Sequence, residues 1–104
     1  MFKKNTVITK GINERLDIVI IMTLWNLLHS VDDRQLDYLQ IFELKNVGTK
    51  NEPMLRITWK QEEPIHMEQY YLKGVHTDVD KVWVICSGEG TDEEYSTMLL
   101  PEEY

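Results

Sequence analysis

Three histidines, one cysteine and eighteen carboxylates are the side chains of this 104-residue chain able to act as ligands, bases or nucleophiles. His29, His66 and His76 lie far apart. His76-Thr77-Asp78-Val79-Asp80 sets three potential ligands at alternate positions, and His66 with Glu68 makes a second pair. Alternate residues share a face only on a strand, and neither set completes a metal-ligand spacing, so no metal site is expected. Cys86 ends the most apolar stretch of the second half, where a cysteine acts as a small core residue rather than as an activated thiolate. Glu43, Glu62, Glu63 and Glu68 could pair across strands for acid–base work, but eighteen acids guarantee accidental neighbours. Gly88-Glu89-Gly90 directly after an apolar strand has the start of a dinucleotide-binding turn. That motif needs a third glycine and then a helix N-terminus for the pyrophosphate. Glu93 stands in the third place and Glu89, Asp92 and Glu94 would repel phosphate, so the segment reads as a turn. No catalytic, cofactor-binding or metal residue is assigned, and no cofactor is expected.

The elements that carry these residues follow from pattern. Val7 and Ile8 centre a short first strand within residues 2–10. Gly11-Ile12-Asn13 turns into a helix, with Asn13 as its N-cap and Glu14 and Asp17 favoured by the helix dipole. The helix is expected from Glu14 to about Ser30. The β-branched run Ile18-Val19-Ile20-Ile21 favours a strand, but the apolar stretch Leu16–Leu28 is too long for one. Ile18, Ile21, Trp25 and Leu28 form an apolar stripe at helical spacing. Arg15, Thr23, Asn26, Ser30 and Asp33 leave only a narrow polar strip, so more than one face of the helix needs cover.

From Tyr38 the period changes to two. Tyr38, Phe42 and Leu44 share one face of a strand, and Leu39 and Ile41 the other. Met54–Lys60 is the next strand, with Leu55, Ile57 and Trp59 on its apolar face and Arg56, Thr58 and Lys60 opposite, joined by a loop over residues 46–53. Glu62-Glu63-Pro64 breaks the ladder. His66–Lys73 is a further strand, on which Tyr70 and Tyr71 point to opposite faces. Val82–Cys86 is apolar on both faces, as a central strand is, and Tyr95–Leu100 is the last. The fold class is therefore α+β: one long helix packed on an antiparallel sheet of about five to six strands, as a single domain over residues 1–104.

Composition sets the outer bounds. The hydrophobic fraction of 42% and charged fraction of 28% suit a folded domain. A lone cysteine excludes an internal disulfide and fits a reducing compartment. The apolar stretch from Leu16 to Val31 carries Asp17, Thr23, Asn26 and His29 and falls short of the ~20 residues of a bilayer span. A cytoplasmic protein with no membrane partner is expected. The net charge of −7 is uneven: residues 1–60 carry nine Lys/Arg against seven Asp/Glu, residues 61–104 two against eleven. Affinity for nucleic acid rests on Lys/Arg neutralising phosphates, so none is expected.

Thr9-Lys10-Gly11-Ile12, Leu24-Trp25, the segment Asp37-Tyr38-Leu39-Gln40-Ile41-Phe42-Glu43-Leu44, Lys60-Gln61-Glu62-Glu63-Pro64 and the ending Tyr95–Tyr104 together carry a resemblance. Over essentially its full length the chain resembles family 960 of the domains of unknown function, short proteins of staphylococci and related Gram-positive bacteria. The resemblance implies a stand-alone cytoplasmic protein and assigns no activity, ligand or catalytic residue.

Function is therefore read from surfaces. The leading expectation is a non-enzymatic domain that self-associates as a homodimer or docks an unidentified protein partner, with Ile18, Ile21, Trp25, Leu28, Tyr70 and Tyr71 as interface residues. The alternative is a small-molecule-binding domain or small hydrolase in which Asp78, Asp80, Glu89 and Asp92 converge with His66 or His76. A third reading has the acidic surface occupy a nucleic-acid-binding protein.

Overall fold

Two side chains, Thr9 and Asp17, decide how the first third of the chain folds. The computed structural model describes residues 1–31 and 36–104, so the expected polar position Asp33 lies outside the described residues. After a short strand β1 (Thr6–Ile8), extended Thr9 caps helix α1 (Lys10–Arg15), its hydroxyl accepting from the Ile12 N–H. Leu16 is extended and buried, and Asp17 caps helix α2 (Ile18–His29), its carboxylate accepting from the Val19 N–H at 2.7 Å. The single long helix is thus corrected to two short ones. Asp17 opens the second by binding its first-turn backbone, as capping residues do. Asn13, the expected cap, lies inside α1.

Five strands follow: β2 (Leu39–Asn46), β3 (Met54–Gln61), β4 (His66–Lys73), β5 (Lys81–Ser87) and β6 (Tyr95–Leu99), then a 3-10 turn at Pro101–Glu103. They form one sheet in the order β1-β6-β5-β2-β3-β4. The sheet is mixed rather than antiparallel, because β1 runs parallel to β6. Both strands leave at the same end, where Glu103 ties them. The Thr9 hydroxyl donates to its Oε1 at 2.6 Å, the Gly11 N–H to its Oε2 at 3.0 Å and the Leu100 N–H to its Oε1 at 2.8 Å. A Cβ on Gly11 would meet this carboxylate at 2.7 Å, so glycine lets it sit this close and a larger residue would push the Glu103 side chain aside. The acceptor role, led by the Thr9 hydroxyl, holds the Glu103 carboxyl below its ordinary pKa.

Strand alternation separates two faces. Phe42, Leu55, Ile57, Trp59, Val82, Val84, Cys86 and Met98 turn to one face and join Ile12, Leu16, Ile20, Ile21, Leu24 and Leu28 in the core. The chain's own start covers part of the remaining helical surface: Phe2 is fully buried, and its carbonyl oxygen sits 2.7 Å from His29 Nε2, while Ile18, Val19 and Met22 stay exposed. Among the described residues, no helix is long and apolar enough to cross a membrane.

Candidate interaction surface

The six expected interface residues do not share a surface. Ile21 and Leu28 are 4% and 0% exposed and belong to the core. Trp25 is half-buried and stacks on His29, with ring centroids 5.9 Å apart. Ile18 is exposed at the start of α2. Tyr70 lies on the core side of β4 and Tyr71 on the other side, fully 59% exposed.

The chemical candidates are likewise dispersed. Asp78 and Asp80 precede β5, while Glu89 and Asp92 follow it. Seven residues of strand span about 23 Å, so the two acidic loops stand at opposite ends of the sheet. Among the described residues no three His, Cys, Asp or Glu gather as metal ligands do. Cys86 is buried, and desolvation pushes its thiol pKa up, away from nucleophilic use. Glu62 and Glu63 are exposed in the turn before β4. The pairing of His66 with Glu68 does form, at 3.1 Å, and the Tyr70 hydroxyl donates to the same carboxylate. That bond lowers the Glu68 pKa and, with burial, pushes Tyr70 up to about 12. His66 also lines a cleft of about 290 Å³ with Trp59, Gln61, Pro64 and Ile65. Among the described residues no serine or cysteine lines that cleft.

Beneath it lies a buried polar network that the sequence pattern did not reveal. Trp59 Nε1 donates to Gln40 Oε1 at 2.6 Å, and Gln40 Nε2 donates to Gln61 Oε1 at 3.0 Å and to the Asp37 carbonyl at 2.8 Å. Gln61 Nε2 donates to the Pro64 carbonyl. The Asp37–Leu44 and Lys60–Pro64 segments therefore meet here, as Thr9–Ile12 and the C-terminal segment meet at Glu103. The amide junction is buried and is stable because its polar partners are met, whereas the Glu103 junction is exposed to solvent.

What remains uncovered is the second face of the sheet. Cross-strand register lines up Leu99, Trp83, Ile41, Lys60 and Met67 in one row from β6 to β4, flanked by Thr97, Ile85 and Leu39 on one side. Ile41, Trp83, Ile85 and Leu39 are only half-buried, and no described helix lies over them. Tyr104 meets Trp83 edge-on at 5.9 Å at the rim.

The other half of this face is basic. Lys45, Arg56, Lys60, Lys73 and Lys81 alternate onto it, and among the described strand residues Glu43 is the one acid there, bonded to Lys60 at 2.8 Å and near Lys81 at 4.0 Å. An acidic protein thus gathers five of its eleven cations on one side of its sheet. Two donors on the same face, Arg56 Nε and Trp83 Nε1, find no acceptor among the described residues.

A six-stranded mixed sheet with two short helices on one face, an α+β fold, and a glutamate latch joining the two ends define the class of protein. The chain belongs to the family described as "Staphylococcal protein of unknown function (DUF960)", whose model matches residues 5–103. It is similar in fold to a protein of unknown function from Enterococcus faecalis, with a TM-score of 0.73 and 18% sequence identity. That likeness covers 99% of this chain and 94% of the other. No functionally curated protein matches the chain.

Proposed function

We propose that the protein is a non-catalytic interaction domain whose open sheet face receives an acidic protein segment carrying apolar side chains. The observation that carries this reading is the make-up of that face. A half-buried apolar row (Ile41, Trp83, Ile85) runs beside Lys45, Arg56 and Lys73, which among the described residues have no carboxylate partner. Apolar area removed from water contributes about 25 cal/mol per Å², so covering a few hundred Å² offsets a substantial part of the cost of association. Carboxylates of the partner would meet the unpaired guanidinium and ammonium groups, fixing orientation and speeding encounter. The chain's net charge of −7 opposes the dense negative field of a nucleic acid, which the reading leaves out.

The alternative of a small hydrolase finds less support, since its acidic loops stand a strand length apart and the His66–Glu68 pair has no nucleophile beside it. The test is an amide-shift titration of the folded protein with a Glu-rich peptide containing Leu and Phe, and in parallel with a single-stranded oligonucleotide. Shifts confined to residues 39–45, 54–60, 67–73, 81–85 and 97–99 on adding the peptide support the reading. Shifts spread over α2 and the acidic loops, or a stronger response to the oligonucleotide, contradict it.

A further inference from the structure

The two edges of the sheet differ. β1 has three residues and follows Lys3 and Lys4, so it offers little to an incoming strand. β4 has eight, and it pairs with β3 without a skipped residue from Met54↔Lys73 to Gln61↔His66, so it carries no bulge. It contains no proline, and its one lysine is at its end. Of the usual devices that blunt an edge strand, its middle carries one, the charge of Glu68 on the core side, which His66 and the Tyr70 hydroxyl already bond.

Hydrogen-bond parity shows which backbone groups of β4 are free. The Gly74 N–H donates to the Pro53 carbonyl at 2.8 Å, in the register that joins Lys73 to Met54. In an antiparallel ladder bonded pairs alternate, so His66, Glu68, Tyr70 and Leu72 exchange bonds with β3. The N–H and C=O groups of Met67, Gln69, Tyr71 and Lys73 then point outward, away from the sheet.

We infer that β4 is the seam of a two-fold dimer, in which β4 of a second copy pairs antiparallel with it about an axis through Gln69. The register follows from the side chains. With Gln69 opposite its own copy, Met67 lies opposite Tyr71 on the open face and Glu68 opposite the Tyr70 hydroxyl on the other. Met67 and Tyr71 are 58% and 59% exposed, so the seam gives each an apolar neighbour, the kind of cross-strand pair that stabilises a sheet. Shifting the axis to Tyr70 would set Glu68 opposite Leu72 and Met67 opposite Lys73, a poorer match. Charge permits the contact: Glu68 and Lys73 balance within β4, the Glu62–Glu63 turn before it would lie past Lys73 of the second copy, and the other acidic loops follow β4 or lie beyond β5. Because the axis is perpendicular to the sheet, the open faces of the two copies become one continuous surface. This seam extends the interaction reading above and stands or falls separately from it.

The test needs no peptide. Sedimentation equilibrium of the full chain across a concentration series should show reversible dimer. Gln69→Pro removes an outward N–H that β3 does not use, and should raise the dimer dissociation constant at least tenfold with an unchanged near-ultraviolet spectrum. If that variant fails to fold, Tyr71→Lys, at an exposed position, should give the same loss. Under mild oxidation Gln69→Cys should form a disulfide-linked dimer and Tyr70→Cys should not, the buried Cys86 of the parent chain giving none. A monomer at all concentrations, a dimer unaffected by both edge variants, or cross-linking through position 70 in place of 69 would overturn the inference.

Discussion

The two faces of the sheet are built from the same strands, one residue out of step, and they carry opposite chemistry. Phe42, Ile57, Val84 and Met98 are fully buried under α2 and the inserted Phe2, whereas Ile41, Trp83 and Ile85 stay half-buried beside five cations. Strand parity therefore separates the face that carries the core from the face proposed for recognition. One face is closed by the chain's own helices, and the other keeps apolar area and unpaired charge available. Two residues of the expected helix interface, Ile21 and Leu28, are used by the first face and have no surface left to offer, while Ile18 stays exposed.

The sharpest way to break this division is to truncate matching positions on neighbouring residues. Phe42→Ala should cost about 3–5 kcal/mol in urea unfolding, the usual range for an aromatic lost from a core. Ile41→Ala, next to it on the open face, should cost about 1 kcal/mol or less. Equal losses would mean that the open face is part of the core.

The buried amide network comes next. Gln40→Ala leaves Trp59 Nε1 without its acceptor and removes a partner from Gln61, and should cost about 2 kcal/mol by the same measurement. A neutral result would remove the network from the account of the covered face.

Glu103 gives a smaller effect with a definite sign. Its pKa is lowered in the folded chain, so its contribution is present above the ordinary carboxylate value of 4.5 and is lost as pH falls through the lowered one. Glu103→Gln should therefore flatten part of the acid-side decline in stability, measured by thermal melts between neutral and acidic pH. An identical decline in both proteins would show that the latch carries no stability.

Much of this was readable from residue patterns. The bounds of β4 match, and Phe42 and Leu44 on β2 share the core face with Leu55, Ile57 and Trp59 on β3, because period-two alternation is local; Tyr38, expected beside Phe42, precedes β2 and is exposed. Leu39 and Ile41 opposite Phe42 and Leu44, together with Val82–Cys86 apolar on both faces, already held the signal for a second apolar surface. Which face the helices would choose is a tertiary matter that no single strand records. The break at Asp17 was masked by the apolar run around it, although an acid directly before such a run is a capping signal. The parallel pairing of β1 with β6 joins residues some ninety positions apart and has no local signature. Gln40 was missed because a polar residue in a strand is taken to face water unless its partners, here on β3, are known.

The most direct test of the open face as a binding surface is charge reversal on it alone. Of Lys45→Glu, Arg56→Glu and Lys73→Glu, the two exposed lysine substitutions should each shift stability by no more than about 0.5 kcal/mol, and that of half-buried Arg56 by about 1 kcal/mol. The triple variant should still melt in one cooperative transition, within about 2 kcal/mol of the parent's stability, and lose at least tenfold in affinity for the Glu-rich peptide. Unchanged affinity in a folded triple variant would contradict the assignment of recognition to this face.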